Sequence, residues 1–326
     1  MSFLNRRHFL KISLTGITPF ILPVTYYKPF SIFSDAVRKI IPFDKMKVLS
    51  AKEFYVQSVA DKPPQVNHKK WQLTLDGLFK NPLFLNYEAI RARKSITQMV
   101  SLACIGNEVG GQQIGNAQWT GFSLRDLLHE AGIDDRAQKI VFYCEDIYST
   151  AIEVSSLMND NVILAYGMNG KPLTAEHGYP LRLIIPGRYG MKNPKWIKKL
   201  VATEEDYKGY YENFGWSDTA ALQIITRIDD KVENHTLHGV ALNGKNKVEK
   251  VEISLDGGQN WTEANIEQTE SPYVWSLWNF DIGSTKGKID VVCRATNERG
   301  ETQDELLRAS FPSGASAPDR QKFNIL

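Results

Sequence analysis

The sequence has only three cysteines among 326 residues and a net charge of +2. Three scattered cysteines exclude a disulfide framework and a zinc site. The small net charge, without blocks of like charge, gives no basis for binding nucleic acid. No Cys-x-x-Cys-His haem motif occurs, and no nicotinamide-binding glycine fingerprint follows a strand. The composition, 42% hydrophobic and 23% charged residues, is typical of a globular protein. The chain is long enough for two domains.

Residues 1–34 are expected to lie outside the fold. Arg6 and Arg7, followed by Phe-Leu-Lys, precede a modest apolar run. This order resembles a twin-arginine export signal, which moves folded, cofactor-loaded proteins. The apolar run is too short to span a bilayer comfortably, and no clear small-x-small cleavage site follows it. We therefore expect a periplasmic or otherwise extracytoplasmic protein, and leave open whether the segment is cleaved or kept as a membrane tether.

The most informative stretch runs from Val100 to Leu128. It is predicted to begin as an apolar strand that ends at Cys104, to continue as a glycine-rich loop, and to finish as an amphipathic helix. A thiol at the rim of a strand suits a soft-metal ligand or a nucleophile. The alternative is a buried cysteine that acts as a small hydrophobic residue.

The runs C-I-G-N-E-V-G-G and A-Q-W-T-G-F-S-L-R-D-L-L resemble the core of the sulfite-oxidase-type molybdopterin family. This resemblance implies that Cys104 binds molybdenum. It also implies an α+β fold, with a mixed α/β molybdopterin domain over residues 45–203 followed by an immunoglobulin-like β-sandwich. The cofactor implied is Mo-molybdopterin.

The opening of the first domain lacks an arginine that the family has at its substrate site. Glu53–Ser58 is predicted to be a strand, and W-x-L-x-x-D-G marks a second strand. In the family, the first of these carries a Val-Arg-Asn-His-like segment that touches the pterin and supplies a substrate-site arginine. Here it reads Val56-Gln57-Ser58-Val59, without the arginine. We therefore expect poor turnover of sulfite.

Tyr148 follows an apolar strand over residues 139–144, in which Cys144 is expected to be a packed core thiol. By resemblance, Tyr148 aligns with the tyrosine over the metal in sulfite oxidases, where a hydroxyl can donate to an oxygen or guide a proton. A plain strand tyrosine with its hydroxyl in solvent remains the alternative. The resemblance thus gives Cys104 and Tyr148 as catalytic residues.

Two further runs, H-G-Y-P-L-R and Y-G-M-K-N-P-K-W, resemble the cofactor-binding segments of the same family. Arginine matches phosphate with a bidentate fork, and lysine supplies a point charge. The cofactor-binding residues that the resemblance implies are Tyr55, Val56, Gln57, Ser58, Asp146, His177, Arg182, Asn193 and Lys195.

The sequence pattern changes after a polar, aromatic linker over residues 204–222. Short alternating strands with turns every eight to twelve residues predict an immunoglobulin-like sandwich over residues 223–310. The run V-E-I-S-L-D-G-G-x-x-W resembles the family's carboxy-terminal domain, which often pairs two subunits, so a homodimer is one expectation. Residues 311–326 are expected to form a loosely held tail.

The resemblance implies an exported molybdenum oxidoreductase that transfers an oxygen atom to or from a small sulfur or nitrogen oxyanion or oxide. Because no haem motif is present, its electrons would pass to a separate carrier, either a cytochrome or a membrane redox protein. A true sulfite dehydrogenase remains open within this class. Two alternatives outside this enzyme class also remain open. One is a metal-free binding module on the same fold, and the other is an adhesion protein whose function lies in the sandwich domain.

Overall fold

The computed structural model describes residues 46–229, 232 and 235–325. The predicted signal segment therefore lies outside the described residues. The first domain contains ten strands and three short helices within this range, and their bounds follow in chain order: β1 (Gln72–Gly77), β2 (Leu83–Asn86), α1 (Tyr87–Arg91), β3 (Ile96–Ala103), β4 (Ile114–Ser123), α2 (Leu124–Ala131), β5 (Lys139–Cys144), β6 (Ser149–Glu153), α3 (Val154–Leu157), β7 (Ile163–Met168), β8 (Lys171–Pro172), β9 (Arg182–Ile184) and β10 (Ile197–Thr203).

These strands form two five-stranded sheets. One has the order β2-β1-β10-β5-β6, in which β1 and β10 run parallel, and the other has the order β3-β4-β7-β8 with β9 paired to β7. Between the sheets, α2 buries Leu124, Leu127 and Leu128, as its apolar spacing predicts. The Ser123 side chain caps its first turn, and Gly132 ends it in the left-handed region with φ of 64°.

The second domain is a sandwich of two four-stranded antiparallel sheets, with the orders β11-β12-β16-β15 and β14-β13-β17-β18. The bounds of its strands are β11 (Ile225–Ile228), β12 (Thr236–Leu242), β13 (Val248–Ser254), β14 (Thr262–Glu263), β15 (Asn265–Glu267), β16 (Ser276–Asp281), β17 (Gly287–Asn297) and β18 (Asp319–Ile325). This architecture is the predicted two-part α+β fold.

The expectation of a loose tail over residues 311–326 is wrong. Its last part is strand β18, which pairs with β17 from Gly287 to Cys293. Asp319 is buried and its carboxylate accepts a hydrogen bond from the Ile228 N–H at 2.8 Å, while Phe323 packs against the sandwich core. Burial of one face of a polar-looking strand explains why composition alone did not predict it.

The predicted strand over Glu53–Ser58 is also wrong. Residues 51–53 form a turn, and residues 55–58 belong to no helix or strand. The Glu53 carboxylate accepts hydrogen bonds from both the backbone N–H and the hydroxyl of Ser50 at 3.2 and 2.7 Å, which stabilises the turn. Phe54 is the buried anchor of this segment, at 3% exposure.

One hydrophobic core is shared by the two domains. It joins residues of β3 and β4, such as Val100 and Trp119, to Val240 and Trp275 of the sandwich. Polar contacts cross the same boundary, because the Ser101 N–H donates to the Tyr273 carbonyl at 2.8 Å and the Trp275 N–H donates to the Ser101 hydroxyl at 2.9 Å. Within residues 46–325, gaps aside, no helix is long and apolar enough to cross a membrane.

The integration of β18 can be tested by replacing Asp319. Asp319→Ala removes the carboxylate that accepts from the buried Ile228 N–H, so we expect the free energy of unfolding to fall by about 1–3 kcal/mol. Lys322→Ala, an exposed position on the same strand, serves as the control and should change it by less than about 0.5 kcal/mol. Equal stability of the two variants in urea unfolding would contradict the described pairing.

Candidate functional site

Cys104 follows directly after β3, where the loop to β4 begins. Its N–H donates to the Gln113 carbonyl at 2.8 Å, and its carbonyl accepts from the Asn107 N–H at 3.1 Å. The Asn107 side-chain oxygen in turn accepts from the Gln113 N–H at 2.8 Å. These bonds close the loop on itself, so the backbone fixes the position of the thiol.

The Cys104 thiol is free and only 8% exposed. Burial raises its pKa to about 11, against a smaller opposing effect of the hydrogen bond with the Gly106 backbone. The sulfur is therefore protonated at neutral pH, and a bound metal cation would have to displace that proton.

Two tyrosines and a glycine surround the thiol. A Cβ atom built on Gly190 would lie 2.9 Å from the Tyr55 hydroxyl oxygen and 4.0 Å from the Cα of Cys104. Burial raises the pKa of both Tyr55 and Tyr189, the latter to about 12, and Cys104 contributes to both shifts. Sequence reasoning missed Tyr189 as a site residue, although it begins the Y-G-M-K motif.

Arg182 is a buried cation without a carboxylate partner among the described residues. Its guanidinium donates to the His177 carbonyl at 3.1 Å and to the Asn193 carbonyl at 3.4 Å. It lies 4.7 Å from the centre of the Trp119 ring, and its Nε–H is buried without a hydrogen-bond partner. Burial lowers its pKa to about 10, while Tyr55 acts in the opposite direction.

Lys195 and His177 belong to the same electropositive region. The half-buried Lys195 ammonium donates to the Glu176 carbonyl at 2.8 Å, and its pKa falls to about 7 because of burial and the charge of Arg182. The His177 ring meets the Ala51 carbonyl at 2.6 Å, and burial lowers its pKa, with Arg182 and Lys195 adding to the effect.

Asp146 is the acidic group predicted to bind the cofactor. One carboxylate oxygen accepts from the Tyr148 N–H at 3.0 Å, and the other is buried without a hydrogen-bond partner. Burial raises its pKa, while the charge of Lys195 opposes the shift. Asp146 therefore lies near Lys195 and brings an acceptor to the edge of the electropositive region.

The segment before the first strand forms one side-chain hydrogen bond with the Cys104 loop. The Gln57 oxygen accepts from the Gln113 side-chain amide at 3.0 Å. Val56 is 50% exposed, and the Ser58 hydroxyl donates to the Ala60 carbonyl within its own loop. Of the four residues predicted here, the structure brings Tyr55 and Gln57 to the Cys104 region, and the described side-chain contacts of Val56 and Ser58 do not reach it.

Tyr148, the predicted catalytic tyrosine, has its hydroxyl occupied elsewhere. The hydroxyl donates to the Met191 carbonyl, and the ring packs against Tyr210 and Tyr211. Burial and then Glu212 raise its pKa. The described contacts therefore do not bring Tyr148 to the thiol, and they do not leave its hydroxyl in solvent as the alternative had it.

Asn193 was also predicted to bind the cofactor, but its side-chain amide is used by the backbone. Its oxygen accepts from the Ile185 N–H at 2.8 Å, and its nitrogen donates to the carbonyls of Arg188 and Tyr189 at 3.2 and 3.1 Å. Both amide hydrogens are thereby used, which does not fit a donated contact to a ligand. Asn193 instead holds the Tyr189–Gly190 turn in place.

The remaining cations of this loop are already satisfied. The Lys192 ammonium is buried against the carboxylates of Glu212 and Asp218 and donates to the Ala151 carbonyl at 2.8 Å. The Arg188 guanidinium donates to the Thr219 carbonyl and to the Ser156 hydroxyl. Neither is therefore a free positive charge for a ligand.

This donor set fits a molybdopterin. A buried guanidinium with an unsatisfied N–H and a half-buried ammonium suit a phosphate group. A single thiol on a fixed backbone suits a soft metal. The unpartnered Arg182 Nε–H carries the fit, because a buried charge of this kind needs an anionic partner.

The fold and site have matches among known proteins. The family model for the oxidoreductase molybdopterin binding domain matches residues 60–211, and the model for the Mo-co oxidoreductase dimerisation domain matches residues 219–311. Among solved structures, the sulfane dehydrogenase SoxCD from Paracoccus pantotrophus has the same fold, with a TM-score of 0.68, 20% identity, and coverage of 92% of this chain and 95% of that one.

Curated relatives include two sulfite oxidases and a nitrate reductase. The mitochondrial sulfite oxidase of Drosophila melanogaster is 27% identical over 74% of this chain and 53% of its own length. The NADH nitrate reductase of Lotus japonicus is 28% identical over 75% and 35%, and the sulfite oxidase of Arabidopsis thaliana is 28% identical over 76% and 80%. The chain thus spans about half or less of the first two relatives. Together with the two family models, these matches show that the chain belongs to the sulfite-oxidase-type family of molybdopterin oxidoreductases, whose cofactor the resemblance had implied.

Proposed function

We propose that this protein is an exported molybdenum oxidoreductase that transfers an oxygen atom to or from a small sulfur or nitrogen oxyanion or oxide. The observation that carries the proposal is the buried, unneutralised guanidinium of Arg182 in a domain matched by the molybdopterin model. The names of the relatives, sulfite oxidase and nitrate reductase, support this substrate class. The substrate is a small molecule.

Each site residue has a distinct part in this function. Arg182 and Lys195 would hold the cofactor's phosphate, and Cys104 would supply the protein's sulfur ligand to molybdenum. When bound, the cofactor supplies the two-electron oxygen-transfer chemistry. Cys104 would give up its proton if a metal bound, while the hydrogen bonds of its loop fix the sulfur and burial excludes water from it. The hydrogen bonds of Asn193 and the ion pairs of Lys192 hold the Tyr189–Gly190 turn in place.

Partners and location are part of the same proposal. The dimerisation-domain match supports a homodimer through the sandwich. Electrons would pass to a separate carrier, a cytochrome or a membrane redox protein, because the sequence has no haem motif of its own. The Arg6-Arg7 pair supports export to the periplasm or another extracytoplasmic space, with the segment either removed or kept as a tether.

Two alternatives remain distinct from this function. A true sulfite dehydrogenase would need positive charge for a dianion, yet Gln57 replaces the family's arginine, and Lys192 and Arg188 are engaged elsewhere. A metal-free binding module on the same fold would not need an intact thiol at Cys104. Metal analysis of exported protein, followed by a substrate screen with a dye acceptor, separates the three.

Replacing Cys104 tests the proposed metal ligand. Cys104→Ser keeps the size but supplies a harder oxygen donor, so we expect a folded protein that retains pterin and loses turnover. The loss should exceed the roughly 10- to 100-fold that changes to outer-shell residues cost. Cys293→Ala, a buried thiol in the sandwich, is the control and should keep its activity. Undiminished turnover of Cys104→Ser would refute the assignment.

Replacing Arg182 tests the phosphate contact. Arg182→Ala removes a charged partner worth about 1.5–3 kcal/mol, so molybdenum should be bound about 10- to 100-fold more weakly. Because no carboxylate loses its partner, the apo form should still unfold cooperatively. Arg125→Ala, which removes an exposed guanidinium, is the control. Elemental analysis that finds full occupancy in Arg182→Ala would contradict the prediction.

Replacing Gln57 tests the substrate preference. Gln57→Arg should raise kcat/KM for sulfite on the order of tenfold, because an arginine at this position would offset the charge of a dianion. Ser58→Arg adds the same charge one residue further on, where the side chain is directed into its own loop, and should give little gain. Efficient sulfite oxidation by the unmodified protein at low concentration would instead favour the sulfite dehydrogenase.

A further inference from the structure

The Tyr55 side chain reaches the thiol end of the site from the segment before the first strand. Its ring stacks on Phe54 at 5.2 Å, and Phe54 packs edge-on against Trp119 and His177. A chain of ring contacts therefore holds the phenol in a fixed direction. The hydroxyl lies beside Gly190, where a built Cβ atom would be 2.9 Å from the oxygen and 4.0 Å from the Cα of Cys104.

The hydroxyls of the nearby tyrosines differ in what they contact. The Tyr148 hydroxyl donates to the Met191 carbonyl. The Tyr189 hydroxyl accepts from the Gln223 N–H at 3.4 Å and lies close to Gly314 of the second domain. The Tyr55 hydroxyl has no hydrogen bond among the described residues, and it lies beside Gly190, next to the backbone of Cys104. Its O–H is therefore free to donate to a ligand.

We propose that the Tyr55 hydroxyl, rather than that of Tyr148, donates a hydrogen bond to an oxygen of the substrate beside Cys104. The inference deepens the proposed function and rests on it. A phenol is a neutral donor, so it can orient an oxyanion without adding a positive charge to a region that already holds Arg182. Tyr55 would thereby contact the substrate in addition to the cofactor-binding role that the resemblance implies.

This arrangement explains why residue 190 is a glycine. Any side chain at this position would meet the Tyr55 oxygen, while the next nearest atom, the Ala103 carbonyl oxygen, lies at an ordinary 3.4 Å. The missing side chain thus leaves room for the hydroxyl beside the thiol. Gly190→Ala should displace the hydroxyl only when an oxygen is present on residue 55, which provides a second, independent substitution.

The experiment uses molybdenum-loaded full-length protein and inorganic sulfate as a non-reacting oxyanion probe, with calorimetry to measure its dissociation constant. Tyr55→Phe should keep the molybdenum content and the unfolding midpoint of the unmodified protein. It should weaken sulfate binding about tenfold or more, since a hydrogen bond to a charged acceptor is lost. The kcat/KM for the substrate found in the dye-acceptor screen should fall in parallel. Tyr143→Phe, whose hydroxyl pairs with Tyr207, is the matched control and should bind sulfate normally.

A double-mutant cycle completes the test. Gly190→Ala should weaken sulfate binding in the unmodified background and add less than about a twofold effect to Tyr55→Phe, because the clashing oxygen is gone. Independent losses from the two changes would overturn the inference, as would wild-type sulfate affinity in Tyr55→Phe or a loss confined to Tyr148→Phe. Unmodified protein without molybdenum or turnover would instead refute the proposed function, and this inference with it.

Discussion

The site depends on a positive charge that the protein buries and does not neutralise. Removing a guanidinium from water costs several kcal/mol unless an anion and good hydrogen bonds compensate. Arg182 receives two carbonyl contacts and the face of an indole, and one of its N–H groups has no partner. The unpartnered N–H and the uncompensated charge of Arg182 favour the binding of an anionic ligand. The free energy of ligand binding therefore adds to the free energy of folding through this one side chain.

Cations of the same loop are divided between two tasks. Lys192 is enclosed by Glu212 and Asp218 and fastens the loop to the linker. Lys195, three residues later, donates to a carbonyl and lies over an aromatic ring, with no ion pair among the described residues, and burial and then the charge of Arg182 lower its pKa. The lysine with anionic partners is structural, and the lysine without them is available. Sequence spacing cannot tell the two apart, because the partners of Lys192 come from residues 20 and 26 positions away.

The elements that the sequence predicted well have local signals. Apolar spacing located α2, and alternating residues with regularly spaced turns located the strands of the sandwich. The errors arose where hydrogen bonds formed by particular residues, rather than the propensity of the segment, decide the outcome. A turn closed by Ser50 and Glu53 replaced a predicted strand, and a strand paired with β17 replaced a predicted tail. For the site, a motif can place Tyr148 in the chain, but the direction of its hydroxyl is set by a carbonyl 43 residues away.

The hydrophobic core that joins Trp119 to Trp275 constrains how the two domains can evolve. A boundary drawn through the linker separates two family models, but the packed surface at that boundary is continuous. The second domain also touches the site directly, since Ser310 donates to Glu108 in the Cys104 loop at 2.6 Å. Exchange of the sandwich for one from a distant relative would expose this surface and unsettle the loop that carries the thiol. The two domains should therefore be inherited, and should diverge, as a single piece.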